Sequence, residues 1–144
     1  MKKKKVFVEG AISPEFIAES IAKHQSKHSI GAHNIFLGQV RADEIDNKIV
    51  NAIEYTSYEE LADKKLIEIR ESAFEKYDLT CMHIYHSLGK VQAGEICFFV
   101  FVSSTRRKEV YEATEYIVNR VKEDVPIFGK EIFQDQSHQW KVNS

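Results

Sequence analysis

The sequence predicts an α+β fold, a single domain over residues 1–144 with a mixed, largely antiparallel sheet and three main helices. Three observations lead there. Strand-like runs and helical spacings follow one another in the order β-α-β-β-α-β-β-α-β, which neither alternates strictly nor stays all-β. Two prolines and six glycines punctuate the chain, and no repeat, linker or low-complexity stretch divides it. At 144 residues the chain can bury about 70% of its unfolded surface, so a core forms without disulfide or metal staples.

Met1 to Lys5 read as a flexible, charged start, and Val6-Phe-Val8 as a short strand. Ser13, Pro14 and Glu15 supply an N-cap, a first-turn proline and a first-turn acid. The helix they open carries an apolar stripe of Phe16, Ile17 and Ile21 and fades near His24. Ala32 to Val40 reads as a strand, and Ala42 to Lys48, with three acids in seven residues, as a mobile loop. Ile49 to Tyr55 is the next strand. Ala62, Leu66, Ile69 and Ala73 give helical spacing within Tyr58 to Tyr77. Leu79 to His86 is strand-like. Ile96 to Val102 is an unbroken apolar run of strand length, which predicts burial on both faces. Ser103 and Ser104 end that strand and lead into a helix lined by Val110, Ala113, Ile117 and Val121 that runs through Lys122. Pro126 stops the helix, Ile127 to Phe133 returns as a strand, and a short tail carries Trp140.

Composition excludes several functions. A net charge of −2 argues against a generally basic, nucleic-acid-binding surface. That average hides an asymmetry, because residues 42 to 80 carry −6 and the remainder +4. No apolar run reaches 18 residues, and Val6-Phe-Val8 before Glu9 is too short for an export signal, so a cytoplasmic protein is expected. Cys81 and Cys97 lie 16 residues apart, outside C-x-x-C spacing, which argues against a disulfide framework or a zinc site. Both fall in predicted strands, where a buried thiol is inert. His24 and His28 have helical i,i+4 spacing at a helix end. Without neighbouring carboxylates they read as a solvated terminus, and no metal or resident cofactor is expected.

Basic residues offer the stronger signal. Arg41 closes a strand soon after Gly38. Arg106 and Arg107 sit at a strand-to-helix junction, where free N–H groups and the helix dipole already favour anions. Lys122 and Lys130 flank Pro126. A partly desolvated lysine near other cations can serve as an amine nucleophile or proton donor, while plain surface charge is the alternative for all of them.

Taken in order, these residues resemble the molybdopterin synthase catalytic (large) subunit, the MoaE family. The likeness runs through Gly31-Ala32 to Phe36-x-Gly38-x-Val40-Arg41, Glu54-Tyr55-x-x-Tyr58 and His86-x-x-Gly89. It continues through Ser103-Ser104-x-x-Arg107 and Lys122-x-x-x-Pro126-Ile127-Phe128-x-Lys130-Glu131, covering roughly residues 30 to 140. The resemblance implies a hammerhead-type fold and a homodimer flanked, in a heterotetramer, by two small ubiquitin-like sulfur-carrier subunits. Each carrier would present a C-terminal Gly-Gly thiocarboxylate, and its sulfur would pass to cyclic pyranopterin monophosphate to build the dithiolene of molybdopterin. Such a sulfurtransferase belongs to molybdenum cofactor biosynthesis.

By the same resemblance Lys122 is catalytic, while Gln39, Arg41, Arg107 and Glu131 bind substrate; Arg106, beside Arg107, is expected to join the substrate-binding set and Lys130 the catalytic one. Arg41, Arg107 and Lys122 are then expected to converge on one pocket. Two departures stand out: Arg106 occupies a position where relatives carry His, and Gly129 one where they carry Lys. They leave a catalytically impaired carrier- or anion-binding subunit as the alternative. Lys130 could stand in for the missing lysine if a bulge at Gly129 re-aimed the strand.

Overall fold

The computed structural model describes residues 5–141. In chain order the elements are β1 (Phe7–Glu9), α1 (Pro14–His24), β2 (Ala32–Gln39), β3 (Glu44–Ile45), β4 (Lys48–Ser57) and α2 (Glu59–Lys76). They continue as β5 (Cys81–Gln92), β6 (Ile96–Ser104), α3 (Arg107–Asp124), β7 (Ile127–Phe133) and β8 (His138–Trp140). The expected flexible start falls on residues of which 1–4 lie outside those described.

The strands join in the order β2-β6-β5-β4-β7-β8, with β1 added parallel to β5 and β3 paired to β4; every other pairing is antiparallel. β6 lies between β2 and β5 and is buried from Cys97 to Ser104, as its unbroken apolar run predicts. One sheet face carries α2 and α3. Their buried residues include all eight that the helical spacing picks out, Ala62, Leu66, Ile69 and Ala73 with Val110, Ala113, Ile117 and Val121. Phe98, Val100 and Val102 of β6 join that core. The other face carries α1, whose Phe16, Ile17 and Ile21 pack on Phe99 and Phe101. Ser13 caps α1 as expected, its hydroxyl accepting from the Phe16 N–H at 3.1 Å.

Three expectations need correction. Ala42 to Lys48 is not an open loop. Asp46 and Asn47 both take positive φ, the requirement of a type I′ turn, and close a hairpin between β3 and β4. Ser103 and Ser104 do not end β6, because they continue its ladder opposite His33 and Ala32 of β2. The tail around Trp140 is a strand, β8, paired with β7.

β5 is longer than its apolar pattern suggests because Gly89, at φ +83°, lets it turn without ending. Its first half, Cys81 to His86, pairs with β6, and its second half, Gly89 to Gln92, pairs with β4. A Cβ at position 89 would collide with the Glu9 carboxylate. Gly89→Ala is therefore expected to destabilise by about 1–2 kcal/mol, the left-handed penalty, with little added by the contact because the exposed Glu9 carboxylate can swing aside. Gly94→Ala, at φ +93° in open space, carries the conformational penalty alone. Urea denaturation of the two variants measures the difference.

Candidate functional site

A pocket opens at the seam where β5 leaves β6 for β4. Its inner part, about 100 Å³, is walled by Gly38 and Gln39 from β2 and Phe98 and Cys97 from β6. His86 from β5, Tyr55 from β4 and Gly129 from β7 complete it. A wider outer trough of about 460 Å³ lies along Glu123 to Gly129 and Trp140, with the acids Glu123 and Asp124 at one end. The two share Lys122, Val125, Ile127, Gly129 and Lys141, so both lysines stand where trough meets pocket. Exposed Phe128 and Trp140 give the trough an aromatic lining.

Local rules build this arrangement. Asp124 ends α3, Val125 turns extended, and Pro126 cannot continue a helix, so Lys122 falls in the last turn beside the entry to β7. The β7–β8 hairpin returns the chain, and the Lys141 N–H donates to the Gly129 carbonyl at 2.8 Å, which holds Lys141 next to the glycine. A Cβ at Gly129 would approach Ile53 Cγ2 at 3.0 Å and the Tyr55 ring at 3.3 Å, so position 129 faces the pocket and the glycine keeps it open.

Burial decides the protonation of the inner groups. His86 is brought down to about 4 by burial, with the Lys122 charge adding to the effect and a bond to the Ser87 carbonyl opposing it. That carbonyl can only accept, at 2.8 Å from Nδ1, so the neutral ring carries its proton there and Nε2 keeps a lone pair. Burial pushes the Tyr55 phenol well above its ordinary range, and Cys97 and Glu131 add to the shift. It therefore stays protonated, donating to Cys97 Sγ at 3.4 Å. Burial also pushes the Cys97 thiol up, against the opposing pull of the Tyr55 hydrogen bond and the Lys141 and Lys122 charges. The thiol donates to the Gly38 carbonyl at 3.4 Å. Cys97 thus lines the pocket yet is held as a thiol, an unreactive form.

The residues singled out in the sequence divide. Lys122 and Gln39 line the pocket. Arg41 lies beyond the end of β2 and lines neither pocket nor trough; it is exposed and 3.4 Å from Asp43. Glu131 is buried and accepts from Gln139 at 3.2 Å, without lining the pocket. Arg106 and Arg107 are exposed at the start of α3, fifteen residues before Lys122, or about 22 Å along the helix axis. Within one chain Arg107 and Lys122 therefore do not converge, because the helix itself separates them.

The expected bulge is absent. Tyr55 pairs with Gly129 and Glu54 with Lys130 in unbroken register, and the irregularity between β4 and β7 sits at Val50/Ala52. Lys130 consequently points to the face opposite Gly129 and pairs with Glu54 at 3.3 Å. The pocket's second lysine is Lys141 instead. It lacks any local sequence signal, since only the β7–β8 pairing brings it there. Tyr55 and His86 belong to the motifs that carry the resemblance, but their roles as pocket walls come from the sheet register.

The MoaE protein family model matches residues 11–124. The molybdopterin synthase catalytic subunit of Emericella nidulans is 38% identical over 121 residues, 84% of this chain and 62% of that protein. The Bacillus subtilis subunit of the same name is 38% identical over 122 residues, 85% of this chain and 76% of that protein. The chain thus spans somewhat over three fifths of the length of its fungal relatives, which reach 62% and 64%. The crystal structure of molybdopterin synthase from Staphylococcus aureus matches with a TM-score of 0.81 at 32% identity, covering 99% of this chain and 98% of that one. At 21% identity, a protein–protein complex of subunits 1 and 2 of molybdopterin-converting factor from Helicobacter pylori shares the fold, with a TM-score of 0.80 over 94% and 88% of the two chains.

The His86 shift has a measurable consequence. Its folded pKa lies below the unfolded value of 6.5, so its contribution is fully present above pH 6.5 and is lost as pH falls through 4. The loss is about 3 kcal/mol. His86→Gln is expected to flatten the pH dependence of the urea midpoint in that window relative to the parent protein.

Proposed function

Because the chain belongs to the MoaE family, we propose that it is the catalytic subunit of a molybdopterin synthase. It would take sulfur from the C-terminal thiocarboxylate of a small ubiquitin-like carrier and pass it to cyclic pyranopterin monophosphate. The observation that carries this reading is the junction of trough and pocket at Lys122 and Lys141. A slender Gly-Gly terminus suits the narrow inner pocket, and the aromatic trough suits the segment preceding it. Both the terminus and the substrate phosphate are anionic, and two ammonium groups converge where they would meet.

The chemistry follows from the protonation states. Lys122 stabilises the negative charge that develops at the carrier's terminal carbonyl, a role worth roughly 10²–10³ in rate for one donor. Tyr55, kept protonated, already spends its proton on Cys97. His86, held neutral near 4 by burial, is a weak base, so its Nε2 lone pair serves to accept a hydrogen bond and position the incoming group. Cys97 is held as a thiol and offers no competing nucleophile, so the transferred sulfur comes from the carrier.

Arg106 and Arg107 fit the reading across a contact between two copies of the chain. The roughly 22 Å along α3 keeps them from Lys122 of their own chain, so their part in the site requires a homodimer. Lys141 takes the place of the lysine expected at Gly129. The protein's place as a cytoplasmic subunit belongs to the same reading; no helix among the described residues is long and apolar enough to cross a membrane.

The deciding experiment mixes the protein with a thiocarboxylated carrier and cyclic pyranopterin monophosphate. Dithiolene product supports the enzyme, and carrier binding without product supports a binding subunit. Lys122→Ala is expected to lower the transfer rate by roughly 10²–10³. Lys141→Ala should lower it less, by about tenfold, and Lys130→Ala should leave it unchanged. Mixing Lys122→Ala with Arg107→Ala chains should restore activity, because each mixed dimer regains one intact site. Failure of that rescue would count against the shared site.

A further inference from the structure

A second constellation lies on the α1 face of the sheet, at the far end from the pocket. His24 in the last turn of α1 meets Cys81 and His83, which are two residues apart on β5 and so share a face. The ligand atoms of the three side chains all lie within 4.8 Å of one another, and the two Nε2 atoms are 2.9 Å apart. Cys81 is buried, and both histidines are half-buried. Cys81 pairs in register with Ser103, six residues along β6 from Cys97 and therefore about 20 Å from the inner pocket.

We propose that His24, Cys81 and His83 form a binding site for a borderline-soft divalent cation, zinc in the first instance. Two imidazoles and a thiolate match that ion, and the set leaves a fourth position for water. Bonds of about 2.0–2.1 Å to nitrogen and about 2.3 Å to sulfur separate tetrahedral donors by roughly 3.3–3.6 Å. The His24 and His83 nitrogens need to part by a few tenths of an ångström and the sulfur to close by at most about 1.3 Å, within reach of rotamer adjustments.

His24 is also pre-oriented. Its Nδ1 lies 2.7 Å from the Ser20 carbonyl, which can only accept, so the proton sits on Nδ1 and the neutral ring turns the Nε2 lone pair toward His83. Lys27 donates to Cys81 Sγ at 2.9 Å, a cation already drawn to that sulfur. On metal binding the Cys81 thiol releases its proton to solvent, the proton that His83 Nε2 donates to His24 in the metal-free pair moves to His83 Nδ1 by exchange with solvent, and the exposed Lys27 side chain swings away. The ion would fasten the end of α1, a helix with no fully buried residue, to the central strand β5.

The test uses the full chain, stripped with chelator and titrated with Zn²⁺ by calorimetry and with Co²⁺ by absorption. One ion per chain is expected, with a thiolate-to-cobalt charge-transfer band. The thermal midpoint should rise by roughly 5–10 °C at a hundredfold excess over Kd. His24→Ala, His83→Ala and the near-isosteric Cys81→Ser should each weaken binding more than ~100-fold, beyond what loss of an outer-shell partner costs. Lys27→Gln should tighten it by removing a competing cation. His28→Ala, a residue exposed beyond the helix, should leave it unchanged. Absence of uptake, uptake indifferent to the three ligand variants, or a cobalt spectrum without the thiolate band would each overturn the proposal. The cobalt spectrum of the parent protein decides the matter even if a variant folds poorly.

Discussion

One strand, β5, belongs to two antiparallel ladders at once, and the pocket exists because of it. Cys81 to His86 hydrogen-bond with β6 and Gly89 to Gln92 with β4, so the β2-β6 and β4-β7-β8 portions of the sheet separate where β5 changes partner. Backbone groups at such a change must all find bonds, and β1 supplies some of them by pairing parallel to His86, Ser87 and Leu88. A side chain at position 89 would meet both a left-handed backbone and the Glu9 carboxylate, so the bend rests on a single glycine. The Tyr55–Cys97 hydrogen bond then ties β4 to β6 across the gap.

That seam also sets the electrostatics. Groups projecting into it are desolvated, which keeps His86 neutral and Tyr55 and Cys97 protonated. Charges act on them as well: buried Glu131 raises the Tyr55 phenol, while Lys122 and Lys141 stand at the mouth. An inner pocket of neutral hydrogen-bonding groups under a cationic mouth suits an anionic tail whose end is to react. It also accounts for a protein proposed to handle sulfur whose own pocket cysteine is unreactive. The chain's net charge of −2 is no obstacle, because the acidic segment 42–80 offsets the cations around this mouth.

The helices were almost fully legible in the sequence. The stripes Ala62-Leu66-Ile69-Ala73 and Val110-Ala113-Ile117-Val121 are local, since a period of 3.6 residues reports one buried face whatever that face meets. The run Ile96 to Val102 announced its double burial for a similar reason. The hairpin at Asp46-Asn47 hides in the sequence because its acidic, polar run suggests a solvated loop, while Asp and Asn are also the residues that tolerate positive φ. The site was legible only in part. Lys122 and Gln39 were named from the ordered motifs, whereas Lys141 enters through a strand pairing that its own surroundings do not encode.

The sequence by itself therefore determined the helix faces, the buried strand, the caps and breaks, and the family. All of these depend on residue order over short spans. Tertiary structure alone decided three matters of register and direction. Unbroken pairing of Tyr55 with Gly129 turned Lys130 toward Glu54 and away from the pocket, because neighbouring residues on a strand face opposite ways. The length of α3 set Arg107 and Lys122 at opposite ends of one chain. Packing of α1 on β5 exchanged the local pair His24–His28 for His24–His83, since a helix end meets whatever strand lies beneath it.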